Sequence, residues 1–347
     1  MKRFKSLVVA TCAAFVAVAY AVPAPTVSAD SAALSIVPKK NYTVEPGKSI
    51  NDTLVIRNLD QEEALNLSLR TVDFTFSDDS GTPKLMLAED APQTTWSLKP
   101  FLTLPETVSI PPKESRTVDM SVSIPANQGG GSYYSAIVYS SAAADGGNVG
   151  LSASGVTLAF VDVPGDVTQD LKLKEFGPYF ASNEKGESGY RFFTMEQPKE
   201  MAYTLKNNGN VTEAPVGSIT LKHIFGKEIT INEVNPNDSL ALIGQSRTYR
   251  ACIKLESEKV KLQGQSTQST KCAAPNLWPG FYSTDLNLFY AQNGQQTKEI
   301  VSSGSFWYMP MWFIILLLVI FSGLGLLIWR LVQKFRGGGS KKSKRRK

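Results

Sequence analysis

The residues able to carry chemistry are few. One histidine, His223, and three cysteines stand among 347 residues, so a reaction or a zinc site that needs several imidazoles or thiolates together is out of reach. The chain holds no Gly-x-Ser-x-Gly elbow and no complete phosphate-cradling Gly-x-x-x-x-Gly-Lys-Ser/Thr loop. Neighbouring carboxylates such as Glu62 and Glu63 are the raw material of glycoside hydrolysis, but they assign a reaction only when a fold sets their separation. Asp78-Asp79 ahead of Gly81 offers oxygens to calcium, yet it lacks the alternating ligands and the distal Glu of a calcium loop and reads as a solvated turn. The expectation is a protein with no catalytic residue, no cofactor and no metal.

Two groups of side chains remain. Cys252 and Cys272 are an even pair; on an oxidising side of a membrane an even count favours a disulfide, with two free thiols as the alternative. Closing a loop of about 20 residues stabilises by roughly 3 kcal/mol in the chain-entropy model, and here it would tether a polar stretch, Gln263 to Lys271, to the strand ahead of it. The aromatics Trp96, Tyr133, Tyr134, Tyr139 and Trp278 could form a binding platform, with core packing the competing role for at least half of them.

The ends say where such residues would be displayed. Lys2, Arg3 and Lys5 precede an apolar run from Leu7 to Val22, then Pro23, Pro25 and the small-residue site Val27-Ser28-Ala29. Residues 1–29 therefore read as a signal peptide, and Cys12 would leave with it. At the other end, Met311 to Trp329 is uncharged and close to the roughly 20 residues needed to cross about 30 Å of hydrocarbon. The expected helix covers 308–329. Trp307, Tyr308, Trp312 and Trp329 match interfacial aromatic belts, and Arg330 opens a basic tail, residues 330–347, that the positive-inside rule places in the cytoplasm. Lipid is thus a partner through the C-terminal helix. With both basic ends set aside, 24 bases face 31 acids in the body, which argues against nucleic-acid binding there.

The body reads as strands. Val118, Met120, Val122 and Ile124 alternate with polar residues, and so do Tyr282, Thr284, Leu286, Leu288 and Tyr290, the period of a sheet with one buried face. Leu65, Leu67 and Leu69 are odd whereas Val72, Phe74 and Phe76 are even, which predicts a bulge or bend between Leu69 and Val72. The halves of the body resemble each other. Val55-Ile56-Arg57-Asn58 matches Thr204-Leu205-Lys206-Asn207, Ser115-Arg116-Thr117 matches Ser246-Arg247-Thr248, and Gly131-Ser132-Tyr133-Tyr134 matches Gly280-Phe281-Tyr282-Ser283. The offsets require extra residues near Ser77 to Trp96 in the first copy and around Gln263 to Lys271 in the second. The fold class expected is all-β: two tandem immunoglobulin-like β-sandwich domains, 30–165 and 166–305, joined near Val163-Pro164-Gly165 and followed by a single transmembrane helix.

Residues 34 to 139, with Val44-Glu45-Pro46-Gly47, Ile124-Pro125 and Gly131-Ser132-Tyr133-Tyr134-Ser135, resemble the N-terminal domain of the WxL-interacting cell-surface proteins of Gram-positive bacteria. Residues 203 to 308, with Leu205-Lys206-Asn207-Asn208-Gly209-Asn210, Phe225-Gly226-Lys227 and Ser305-Phe306-Trp307, look similar to the second domain and anchor of the same proteins. The resemblance implies immunoglobulin-like domains that bind a cell-wall polymer or a surface protein partner without chemistry. A membrane-tethered glycan hydrolase and an envelope assembly chaperone are the alternative readings.

Overall fold

A computed structural model describes residues 34–88, 90–141, 153–181, 188–226, 228–262, 265–291 and 297–337. The expected signal peptide and the basic tail beyond residue 337 lie outside them.

The first half builds strands β1 (Leu34–Ser35), β2 (Lys39–Thr43), β3 (Ser49–Asn58), β4 (Leu65–Val72), β5 (Phe74–Phe76), β6 (Pro83–Leu85), β7 (Leu102–Thr103), β8 (Thr107–Ile110), β9 (Ser115–Ser123), β10 (Gly131–Ser141) and β11 (Ala153–Val163). A sheet in the order β1-β3-β9-β7 faces one in the order β2-β11-β10-β4-β8. The alternation read in the sequence explains why: Val118, Met120 and Val122 of β9 are buried while Arg116 and Asp119 are exposed. They pack with Leu54 and Ile56 of β3 against Leu67, Leu69, Ile137, Tyr139 and Val161 of the opposite sheet. Each such aliphatic side chain contributes about 1.5–3 kcal/mol by leaving water.

The second half repeats this plan with β12 (Leu171–Phe180), β13 (Gly189–Tyr190), β14 (Phe193–Thr194), β15 (Glu200–Asn207), β16 (Val216–His223), β17 (Ile229–Ile231), β18 (Ser246–Cys252), β19 (Leu255–Leu262), β20 (Gln265–Cys272), β21 (Gly280–Tyr290) and β22 (Lys298–Tyr308). Its sheets run β13-β12-β15-β18 and β14-β22-β21-β16-β17. The correspondence extends to register: Arg57 pairs with Ser115 and Lys206 with Ser246, the residues matched in the sequence. In both halves a parallel pair, β2 with β11 and β14 with β22, sits at one edge of the larger sheet. Both copies bury an asparagine at the same strand end. Asn58 Nδ2 donates to the carbonyls of Glu63, Ile110 and Pro111, and Asn207 Nδ2 to those of Val211 and Ala241. Each Oδ1 accepts the backbone N–H two residues on, an Asx turn that ends the strand. The extra residues are two hairpins, β5–β6 in the first copy and β19–β20 in the second.

The expected bulge between Leu69 and Val72 does not exist. Pairing of β4 with β10 is unbroken from Leu67 to Val72. The parity changes because both faces of this sheet are buried: Leu67 and Leu69 point into the sandwich, whereas Val72 points out into a further apolar cluster with Phe74, Tyr134, Ala136, Val138 and Phe160. Leu240, Leu242 and Ile243 of the second half complete that cluster, so a third apolar cluster, distinct from the two sandwich cores, bridges the junction.

An apolar helix, α1 (Met311–Gly337), follows β22 after Met309 and Pro310. An 18-residue stretch of its span Met311–Phe335 has a mean hydropathy of 2.8, and the helix is long and apolar enough to cross a membrane. The helix starts later than expected because Trp307 and Tyr308 pair with Phe281 and Gly280 as the end of β22. It ends later because it continues through Arg330.

Candidate functional site

The five aromatics do not form one platform. Tyr134 and Tyr139 are fully buried, on opposite faces of β10. Tyr139 belongs to the first sandwich core, with its hydroxyl 3.1 Å from Thr157 Oγ1. Tyr134 lies in the junction cluster, 5.3 Å from Phe74 and 5.7 Å from Phe160 between ring centroids, with the half-buried Trp96 stacked on it at 6.0 Å. Tyr133 packs edge-on to Phe101. Only Trp278 is a largely exposed ring, at 75%, and it belongs to the other half of the protein. Alternation places adjacent tyrosines on opposite faces of a strand, so Tyr133 and Tyr134 could never have shared a surface.

The residues read as membrane-interface anchors also separate. Tyr308 is buried in the core of the second sandwich, and Trp307 lies beside Phe281 with 5.2 Å between centroids. Trp312, Trp329 and Arg330 are on the helix and exposed.

Cys252 and Cys272 are joined by a disulfide that closes the base of the β19–β20 hairpin, where Leu255 pairs with Cys272. Glu200 brings a carboxylate oxygen within 4.8 Å of both sulfurs, a grouping able in principle to hold a metal. The disulfide consumes both thiolates, and Glu200 is already held by Arg250, whose Nε and Nη2 each donate at 2.9 Å. The arrangement is a hairpin clamp.

A polar cleft of about 320 Å³ opens where the two sandwiches meet, lined among others by Lys39, Asn41, Tyr42, Asp162, Glu213 and Asp238. Sequence reasoning missed it, since its walls come from positions about 170 residues apart with no shared motif. Lys39 Nζ donates to the Asp238 carbonyl at 3.0 Å, and burial lowers its pKa. Asp52, linked to the cleft through Tyr42, accepts from Lys40 at 2.7 Å and from the Tyr42 hydroxyl at 2.5 Å, which together hold its carboxyl down at about 2. Ser132 accepts the Thr212 N–H at 2.8 Å and donates to Asp162, stitching together two residues that line the cleft from opposite halves. Glu213 Oε2 accepts the Ala291 N–H at 3.1 Å, while Oε1 is buried without a hydrogen-bond partner among the described residues. Burial pushes its pKa up to about 7; the Ala291 N–H opposes this, nearby Asp162 adds to it and Lys298 opposes it. The cleft offers charge and hydrogen bonds for holding a polar chain.

A second cavity, about 970 Å³ and largely apolar, lies at the helix end of the second sandwich. Phe225, Trp278, Phe281, Trp307, Phe313 and Leu317 are among its walls. The signal for it was present in the sequence, an Ile224-Phe225 pair inside a turn ending at Gly226.

No protein-family model matches the chain, and no curated protein does. Among solved structures, the class 5 fimbriae chaperone CfaA is similar at 13% identity and a TM-score of 0.34, covering 78% of this chain and 98% of its own. The E. coli chaperone DraB is similar at 13% identity and a TM-score of 0.31, covering 78% and 96%. The Pseudomonas aeruginosa CupB2 chaperone follows at 6% identity and a TM-score of 0.29, covering 75% and 96%. Likenesses this distant carry no argument about function.

Proposed function

We propose that this protein is a non-enzymatic, single-pass membrane protein whose paired β-sandwiches stand outside the cell and bind a cell-wall polymer or a surface protein partner, as the resemblance to the WxL-interacting proteins implies. The observation that carries the reading is the apolar cluster at the junction, in which Leu240, Leu242 and Ile243 cover the outer face of the first sandwich. An apolar cluster shared by the two modules resists their separation and so holds the walls of the polar cleft together. Only Met309 and Pro310 separate this body from the apolar helix. The basic residues behind the helix orient it with the tail in the cytoplasm.

A photocrosslinking residue at the exposed Asn41, in the cleft, tests the reading on intact cells, with Glu62 on the turn after β3 as control. Adducts with a wall glycan or a second surface protein at 41 and not at 62 are expected. Adducts at neither position, or equally at both, would remove the cleft as the binding site. Turnover of envelope glycan by the full chain, abolished by a single Asp or Glu substitution, would replace binding by tethered hydrolysis.

A further inference from the structure

The end of the second sandwich next to the helix exposes large apolar side chains on two loops. Ile224 and Phe225 sit at the tip between β16 and β17, with Phe225 exposed at 93%, and Trp278 sits on the approach to β21. Isolated exposed apolar residues are ordinary, but a cluster on loop tips marks a surface meant for something other than water.

The loops are built to present these side chains. Tyr282, buried below them, braces both: its hydroxyl donates to the Trp278 carbonyl at 2.8 Å, and its ring lies 4.7 Å from that of His223. His223 Nδ1 accepts the Phe225 N–H at 3.3 Å, which holds the turn. Gly280 makes room for the imidazole: its φ is +143°, and a Cβ there would stand 2.6 Å from His223 Nε2. The sole histidine is thus a positioning residue for the Phe225 turn.

The height of these loops relative to the helix identifies what they meet. Phe225 and Trp278 line the same cavity as Phe313 and Leu317, and Leu317 is six residues past Met311, about 9 Å along a helix axis. Side chains at that level of a membrane-spanning helix lie in the headgroup and upper acyl region, the depth of about 5–10 Å at which interfacial apolar groups settle. Trp and Phe are suited to it.

We propose that Ile224, Phe225 and Trp278 form a lipid-docking surface that inserts into the outer leaflet beside the helix and seats the body on the bilayer. This rests on the reading of α1 as a membrane span. The seat gives the two-residue link a second point of attachment, so the cleft is held at a set height and direction above the membrane.

The test uses the full chain in vesicles of phosphatidylglycerol and phosphatidylcholine, with Cys12→Ser and the Cys252–Cys272 disulfide intact. A nitroxide is placed on Phe225→Cys or Trp278→Cys, and its accessibility to oxygen and to a water-soluble nickel complex is read by power saturation. Val301→Cys, on the exposed flank of β22, gives the aqueous reference and Ile320→Cys the lipid reference. The oxygen-to-nickel ratio at 225 and 278 is expected to exceed that at 301 several-fold and to approach that at 320. A lipid-like label at 320 with water-like labels at 225 and 278 overturns the docking surface and leaves the span standing. Labels at 225 and 278 shielded from both reagents mean a protein covers the loops and also overturn it. A water-like label at 320 removes the span, and the docking surface with it.

Discussion

Arg247, on the second sandwich, lays its guanidinium 4.9 Å from the ring centroid of Phe76 on the first, and donates to the Leu240 carbonyl at 2.8 Å. The contact is where the extra hairpin of the first copy docks onto β18 of the second. Around it, the Phe76 N–H donates to Gln245 Oε1 at 2.9 Å and the Thr248 N–H to the Asp79 carbonyl. The Asp78-Asp79-Ser80-Gly81 turn closes on itself, with Asp78 Oδ1 accepting the Ser80 N–H at 2.8 Å, and serves as a docking tip. Gly81 at φ +85° lets the guanidinium approach, since a Cβ there would lie 2.6 Å from it.

Arg247→Ala removes a part-buried cation–π contact and strips a carbonyl of its donor, for a loss of about 1–3 kcal/mol. Calorimetry of the full chain is expected to show the junction loosened, with one cooperative transition broadening into two. A single transition at the original temperature would mean that the hairpin does not couple the sandwiches.

Asn58→Ala and Asn207→Ala should act alike, because the two asparagines do the same work in their copies. Each leaves buried carbonyls unsatisfied, at a cost of about 1–3 kcal/mol. Asn58→Asp and Asn207→Asp are expected to be no milder, since a carboxylate cannot donate to those carbonyls. Denaturant midpoints measure both pairs, and a near-neutral Asn207→Ala would break the equivalence.

Glu213 predicts a pH dependence. Its folded pKa, about 7, lies above the 4.5 of the free group. The unfolded chain therefore ionises first as pH rises. The group costs nothing below pH 4.5, its penalty grows between 4.5 and 7, and the penalty is complete above 7. Glu213→Gln keeps an acceptor for the Ala291 N–H and removes the charge, so it should raise stability at pH 8 by up to about 3 kcal/mol. Stability of the two proteins should converge toward pH 4. A variant no more stable than the parent at pH 8 would count against a buried, uncompensated carboxylate.

Cys252→Ser with Cys272→Ser should lower stability by no more than about 3 kcal/mol. The loss should stay in the β19–β20 hairpin, which among the described residues pairs with no other strand. Hydrogen exchange should show faster opening of 255–262 and unchanged protection in β21. Global unfolding of the reduced protein at moderate temperature is the contrary result.

The sequence located what depends on local pattern. Alternation at Val118 to Ile124 gave β9, and the match of Arg57 with Lys206 and of Ser115 with Ser246 anticipated paired strands in identical register. The same alternation misled at Leu69 to Val72. Period two tells inside from outside only when one face meets water, and there the second half of the chain covers the other face. Tyr134 could not be sorted from Tyr133 for the same reason.

What the amino-acid order determined alone was the kind of matter present: strands by their alternation, an exit helix by its unbroken greasiness, two copies by their spacing, and a disulfide-ready pair by its count. What only the tertiary structure decided was which surfaces remain. Tyr308 took a place in the core of the second sandwich, Glu213 had its carboxyl pKa raised by burial, and Phe225 became a fully exposed side chain on a loop braced by Tyr282. Exposure and electrostatics depend on neighbours far apart along the chain, and a pattern read over a few residues contains no record of them.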